Sequence, residues 1–192
     1  MYVIQKNSTS SVTPLQRGDT ILAFGDSLTH GYGAGAGESY PERLSASIGV
    51  PVINAGINGE TSADGLRRLP TLLQKHAVRL MILCFGGNDI LQKRSMSQLK
   101  ANLIEMITRA KAQGIEVVIL SVPNINLFGM SPLALYAEVA EETGTPLIEG
   151  ILADILEQPS LKSDQIHPNA RGYRQMAREV EKGLRESGYL AD

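Results

Sequence analysis

Apolar and polar positions follow two rhythms along this chain. Short apolar runs bounded by glycine and polar residues predict buried strands at Thr20 to Phe24, Val50 to Asn54, Arg79 to Phe85, Glu116 to Val122 and Thr145 to Glu149. Between and after them, apolar residues recur at helical spacing over Ser39 to Ser47, Ser62 to Lys75, Ser97 to Gln113, Pro132 to Thr143 and Pro168 to Ser187. The third helix is the clearest. Leu99, Leu103, Met106 and Ala110 share one face behind a Ser97 cap, and Gly114 stands where a C-terminal glycine belongs. In the last helix Tyr173, Met176, Val180 and Leu184 form a core face. Pro70, inside the second helix, lacks a backbone donor and is expected to kink it or start a new turn. Strands alternating with helices predict an α/β fold, a three-layer αβα sandwich around a parallel sheet.

At 192 residues the chain fits one domain able to bury a full core. Residues 1–18 read as a loosely ordered lead-in and 19–192 as the domain. Hydrophobic residues make up 43% and the net charge is -2, which argues against a nucleic-acid footprint. No apolar run approaches the ~20 residues of a membrane span. Met1 to Thr13 lacks the apolar centre of a signal peptide, yet a Ser/Thr-rich start also follows a removed one. The compartment therefore stays open between cytoplasmic and periplasmic or secreted. The single cysteine, Cys84, lies in an apolar run and reads as a core thiol, with no partner in the chain for a disulfide.

The chemistry gathers just past the strands. The first strand breaks at Gly25-Asp26-Ser27-Leu28, which puts a serine at a strand end, where ligands bind in open α/β sheets. Asp26 and Ser27 are equally suited to capping a helix. The next two strands run into Asn54-Ala55-Gly56-Ile57-Asn58-Gly59 and Gly86-Gly87-Asn88-Asp89, whose glycines suit tight turns and leave N–H groups open to a substrate oxyanion. Activating a serine needs a base. His76 ends a helix, and His30 follows Ser27 by three residues with nothing nearby to orient it. His167 differs, because Asp164-Gln165-Ile166-His167-Pro168 puts a carboxylate three residues ahead of an imidazole. Asp164 can hold Nδ1–H and leave Nε2 facing the serine. Pro168 favours an extended His167 and the first position of a helix.

These blocks, in this order, resemble the GDSL or SGNH hydrolases over nearly the whole chain, and most of all the small bacterial esterase, thioesterase and lysophospholipase members. The resemblance implies a flavodoxin-like five-stranded parallel sheet and hydrolysis of carboxylic esters, aryl or short- to medium-chain acyl, or thioesters through an acyl-enzyme, without metal or cofactor. It implies Ser27 as nucleophile, Asp164 and His167 completing the triad, and an oxyanion hole built from the N–H groups of Ser27 and Gly56 with the Asn88 amide. A lysophospholipase or carbohydrate acetylesterase is the alternative on the same site. His30 beside the nucleophile stays open as an extra polar contact to substrate or the source of an altered pH optimum. The apolar segment Pro123 to Met130 has no helix or strand period and reads equally as a loop folded onto the core or as an acyl pocket lined by Ile125, Leu127, Phe128 and Met130, for which Leu28, Tyr32 and Ile90 are further candidates.

Three rivals remain. An α/β-hydrolase elbow needs Gly-x-Ser-x-Gly, and Thr29 replaces the second glycine. Gly31 to Ala36 formally fits a dinucleotide fingerprint, but Asn54 stands where an acid would bind ribose. A non-catalytic binding domain on the same fold is the third. The small-molecule substrate is the one partner expected; oligomeric state is open.

Overall fold

The computed structural model describes residues 12–126 and 129–191, the side chains of Ile125 and Asn126 excepted. In chain order the elements are β1 (Ile21–Gly25), α1 (Ser27–His30), α2 (Tyr40–Ile48), β2 (Val52–Gly56), α3 (Ser62–Lys75), β3 (Leu80–Cys84), α4 (Gly87–Leu91), α5 (Met96–Lys111) and β4 (Glu116–Leu120). The short strands β5 (Asn124–Asn126) and β6 (Gly129–Ser131) follow, then α6 (Ala134–Thr143), β7 (Leu147–Ile148), α7 (Ile151–Leu156), a 3-10 turn at Pro159–Leu161, and α8 (Ala170–Glu186).

Five strands form one parallel sheet in the order β2-β1-β3-β4-β7, with helices on both sides. Helices α2, α7 and α8 pack together, as do α3, α5 and α6. The sheet is the α/β architecture expected. β1 and β3 are buried along their whole length, Cys84 included, and such continuous apolar runs are what a strand covered on both faces requires. Fully burying each Leu, Ile or Phe contributes about 1.5–3 kcal/mol.

The connection from β1 leads to β2 on one side, and the next leads back across to β3 on the other. β1 is therefore the switch point of the sheet, where diverging loops open a crevice beyond the strand ends. Gly25, its last residue, lies in register with Gly56 of β2 and Cys84 of β3. Ser27 emerges two residues later.

Several local expectations are corrected. The cap of α5 is Ser95, whose side chain accepts from Gln98 N–H, while Ser97 already lies inside the helix. α8 begins at Ala170, capped by Asn169, so Pro168 precedes the helix and instead pairs with Lys162 in an antiparallel bridge. α3 runs from Ser62 to Lys75 through Pro70, so no separate helix starts there. The Pro123 to Met130 segment contains the antiparallel pair β5–β6 rather than an unstructured loop. Of the lead-in, residues 1–11 lie outside the described residues, whereas Val12 and Leu15 pack against the core and Leu15 N–H donates to Tyr189 C=O at 2.9 Å. No helix among the described residues is long and apolar enough to cross a membrane.

Candidate active site

Asp26 ends the extended chain and caps α1, its Oδ1 accepting from Leu28 N–H at 3.0 Å. Ser27 is the first residue of that short helix. From the opposite side of the crevice comes the segment between the 3-10 turn and α8. Ser163 N–H donates to His167 C=O, and Asn169 N–H to Leu161 C=O, each at 2.9 Å, so the segment closes on itself as a narrow hairpin. At its tip Asp164 Oδ1 accepts the N–H groups of Ile166 and His167, both at 2.8 Å, which folds the carboxylate back beneath the imidazole.

His167 Nδ1 donates to Asp164 Oδ2 at 2.8 Å. With that nitrogen holding the proton, Nε2 is an acceptor, and Ser27 Oγ lies 2.9 Å from it. Serine, imidazole and carboxylate thus stand in one hydrogen-bonded line across 140 residues of sequence. Burial alone would raise the Asp164 carboxyl. The Ile166 N–H and the His167 ring and N–H outweigh it and hold Asp164 below the usual carboxylate range. The Tyr32 ring lies against the imidazole with centroids 4.5 Å apart, and Tyr173 from α8 donates its hydroxyl to Tyr32 C=O at 2.9 Å beneath them.

Ser27 and His167 line a cleft of about 220 Å³ with Leu28, Tyr32, Gly59, Asn88 and Ile90. Its further apolar wall is Leu91, Val122, Pro123, Leu156 and Ile166. Asn88 is held by Glu60 C=O, which accepts from its Nδ2 at 2.9 Å, and a second, longer contact of 3.4 Å runs to Asp26 Oδ2. The neighbouring Asp89 is a structural anchor. Buried, it accepts from Ser62 N–H at 2.8 Å and Ser62 Oγ at 2.7 Å, pinning α4 to the start of α3. Asp26 is fully buried, and burial, reinforced by the charges of Asp89 and Glu60, pushes its carboxyl up to about 7 against the pull of Leu28 N–H.

Some residues singled out in the sequence lie elsewhere. Gly56 N–H donates to Asn54 Oδ1 at 3.0 Å, and the residue lines a separate groove with His30 and Asn54. Its N–H is therefore engaged, and it does not face Ser27. His30 belongs to that second groove too, its Nδ1 donating to Gly56 C=O at 3.3 Å. It does not line the Ser27 cleft, which removes it as a direct substrate contact there. Met130 lines a third hollow with Ser121 and Glu149. Leu127, Phe128 and the side chain of Ile125 lie outside the described residues. Gly59, three residues beyond Gly56 on the same loop, does line the cleft, as does Gly87 beside Asn88. No hydrogen bond from Gly59 N–H or Ser27 N–H is seen among the described residues. The signal for it was the Asn58-Gly59 dipeptide, which marks a turn with positive φ, observed at 79°. Among the described residues, no group of three His, Cys, Asp or Glu side chains is placed to hold a metal ion.

The model of the GDSL-like Lipase/Acylhydrolase family matches residues 23–175. Thioesterase 1/protease 1/lysophospholipase L1 of Escherichia coli (strain K12) is 32% identical over 158 residues, covering 79% of this chain and 76% of that protein. An arylesterase of Vibrio mimicus is 31% identical over 163 residues, covering 80% and 82% respectively. Among solved structures, that of TesA superposes with a TM-score of 0.81 at 29% identity, covering 88% of this chain and 99% of the other. With the match running from within β1 to within α8 and including both Ser27 and His167, the chain belongs to the GDSL-like lipase/acylhydrolase family.

Proposed function

We propose that this protein is a serine esterase that cleaves carboxylic esters or thioesters through an acyl-enzyme formed on Ser27. The observation that carries the proposal is the unbroken line Ser27 Oγ, His167 Nε2, His167 Nδ1, Asp164 Oδ2, with separations of 2.9 and 2.8 Å. In the first half-reaction Ser27 Oγ attacks the acyl carbonyl while Nε2 takes its proton and then gives it to the leaving alcohol or thiol. Water repeats the sequence to release the acid and regenerate Ser27. Asp164 keeps its charge throughout, orienting the ring and stabilising the imidazolium.

The tetrahedral oxyanion is received by the N–H groups of Ser27 and Gly59 and the Nδ2 amide of Asn88. Gly59 replaces Gly56 in this role because, of the two, Gly59 lines the cleft and has an N–H that is not already engaged. Each such donor contributes about 3 kcal/mol to the transition state. The cleft of about 220 Å³ is smaller than the range of roughly 300–1,000 Å³ common for drug-sized ligands. Leu28, Ile90, Leu91, Val122, Leu156 and Ile166 make its wall apolar. Short acyl or aryl esters suit that space better than long chains or charged acyl groups. The names borne by the relatives, thioesterase, lysophospholipase and arylesterase, set the substrates to try first.

The test is hydrolysis of a graded series of chromogenic acyl esters and acyl thioesters by the wild type and Ser27→Ala. Activity is expected in the wild type, highest for the shortest chains, and lost by several orders of magnitude in the variant. Turnover that survives in Ser27→Ala excludes this mechanism.

A further inference from the structure

Arg68 touches no part of the cleft and yet joins the backbone segments from which the oxyanion site is built. It projects from α3 with its side chain only 20% exposed. Its Nε donates to both carboxylate oxygens of Glu60, at 2.8 and 2.7 Å, and Nη2 lies 2.6 Å from Oε2. The same Nη2 donates to Ala55 C=O at 2.8 Å and to Gly25 C=O at 3.2 Å. The guanidinium carbon sits 4.5 Å above the centre of the Phe24 ring, which fixes the plane of the fork from below.

Each partner leads to a reacting group. Gly25 ends β1 two residues before Ser27, and Ala55 is the penultimate residue of β2, from which the Gly59 loop departs. Glu60 directly follows Gly59, and its C=O is the acceptor that holds the Asn88 amide at 2.9 Å. An ion pair this buried is weak evidence for stability, because desolvating both charges offsets much of their attraction. Its geometry is informative instead. The planar fork takes Glu60 through two nitrogens, Nε and Nη2, while Nη2 also reaches both carbonyls, and the single nitrogen of an ammonium on a flexible stem does not reproduce that fixed two-point hold.

Resting on the site reading given above, we propose that Arg68 is a positioning residue for the oxyanion hole, acting through Glu60 to set the Gly59 N–H and the Asn88 amide against Ser27. It is not itself a catalytic residue.

The experiment is a mutant cycle of wild type, Arg68→Lys, Asn88→Ala and the double variant, assayed on one ester, with near-ultraviolet circular dichroism and thermal unfolding confirming that each is folded at the assay temperature. Arg68→Lys keeps the charge and loses the fork. Its kcat is expected to fall about 10- to 100-fold, with KM within about threefold of wild type. Once Asn88→Ala has removed the amide, the added Arg68→Lys is expected to cost much less than it does alone. Glu60→Gln leaves the Arg68 carbonyl contacts in place and weakens only the tie to the loop; it is expected to reproduce the kcat loss and carries the test if Arg68→Lys does not fold. A normal kcat in folded Arg68→Lys or Glu60→Gln, or losses that multiply fully in the double variant, overturns the proposal. Wild-type turnover in Ser27→Ala or Asn88→Ala brings down the site reading as well, whereas a normal Arg68→Lys beside an inactive Ser27→Ala brings down the Arg68 role alone.

Discussion

Two glycines three residues apart carry opposite burdens. A Cβ built on Gly56 would stand 2.1 Å from the backbone nitrogen of His30, whereas one on Gly59 meets nothing within 4 Å. Gly56 is therefore a packing glycine that lets β2 lie against α1. Gly56→Ala is expected to lower the thermal midpoint by several degrees, since backbone on both sides of the clash must move. Thermal unfolding measures it, and an unchanged midpoint would contradict the close approach. This is also where the sequence was least legible. The family resemblance of Asn54-Ala55-Gly56 implies Gly56 as an oxyanion donor, but its N–H is turned toward Asn54 Oδ1. Which way an N–H faces depends on loop conformation that a residue pattern does not encode. Asp164 and His167 were legible for the opposite reason. Three residues suffice for one carboxylate to take two backbone N–H groups and the ring, so sequence proximity by itself builds that contact.

At the scale of elements, what could be read was what burial dictates. All five sheet strands were found from their apolar runs, within two residues at each start, because a strand covered on both faces has little room for polar residues. The elements that escaped are short: α1, α4 and α7 run four, five and six residues, too few for a helical period to show. They matter nonetheless, since α1 opens with Ser27 and α4 carries Asn88. The start of α8 is the element on which the His167 segment depends. Asn169 Oδ1 caps it by accepting from Arg171 and Gly172 N–H, and its Nδ2 donates to Ser160 C=O at 3.0 Å and Lys162 C=O at 3.2 Å. One side chain thus ties helix start to hairpin. Asn169→Ala is expected to cost about 1–2 kcal/mol of stability from the cap alone. It is also expected to depress kcat by loosening Asp164 and His167; denaturant unfolding and steady-state kinetics at a temperature where the variant is folded separate the two. A stable variant with full activity would deny the segment this anchor.

For the molecule as a whole, the buried Asp26 couples the site to stability. Its carboxyl is raised from an ordinary 3.8 to about 7 in the folded protein. Between those values the folded state binds more protons than the unfolded chain, so this contribution is complete below about pH 4, falls as pH rises, and is gone above about pH 7. Three units correspond to roughly 4 kcal/mol. Asn at this position keeps an oxygen for Leu28 N–H and cannot ionise. Asp26→Asn is accordingly expected to gain stability over wild type as pH rises from 5 to 8, measured by denaturant unfolding at both values. Parallel curves would contradict the raised carboxyl. The parallel sheet places its switch point at β1, and the chain concentrates its polar groups in the loops around that point. Catalysis by this route requires that Ser27 become acylated. Mixing the enzyme with an activated short-chain ester, quenching in acid and mapping the peptides by mass spectrometry tests it most directly. One acyl group is expected on the peptide containing Ser27, absent in His167→Ala; label on another residue, or turnover with Ser27 unmodified under burst conditions, would exclude an acyl-enzyme on Ser27.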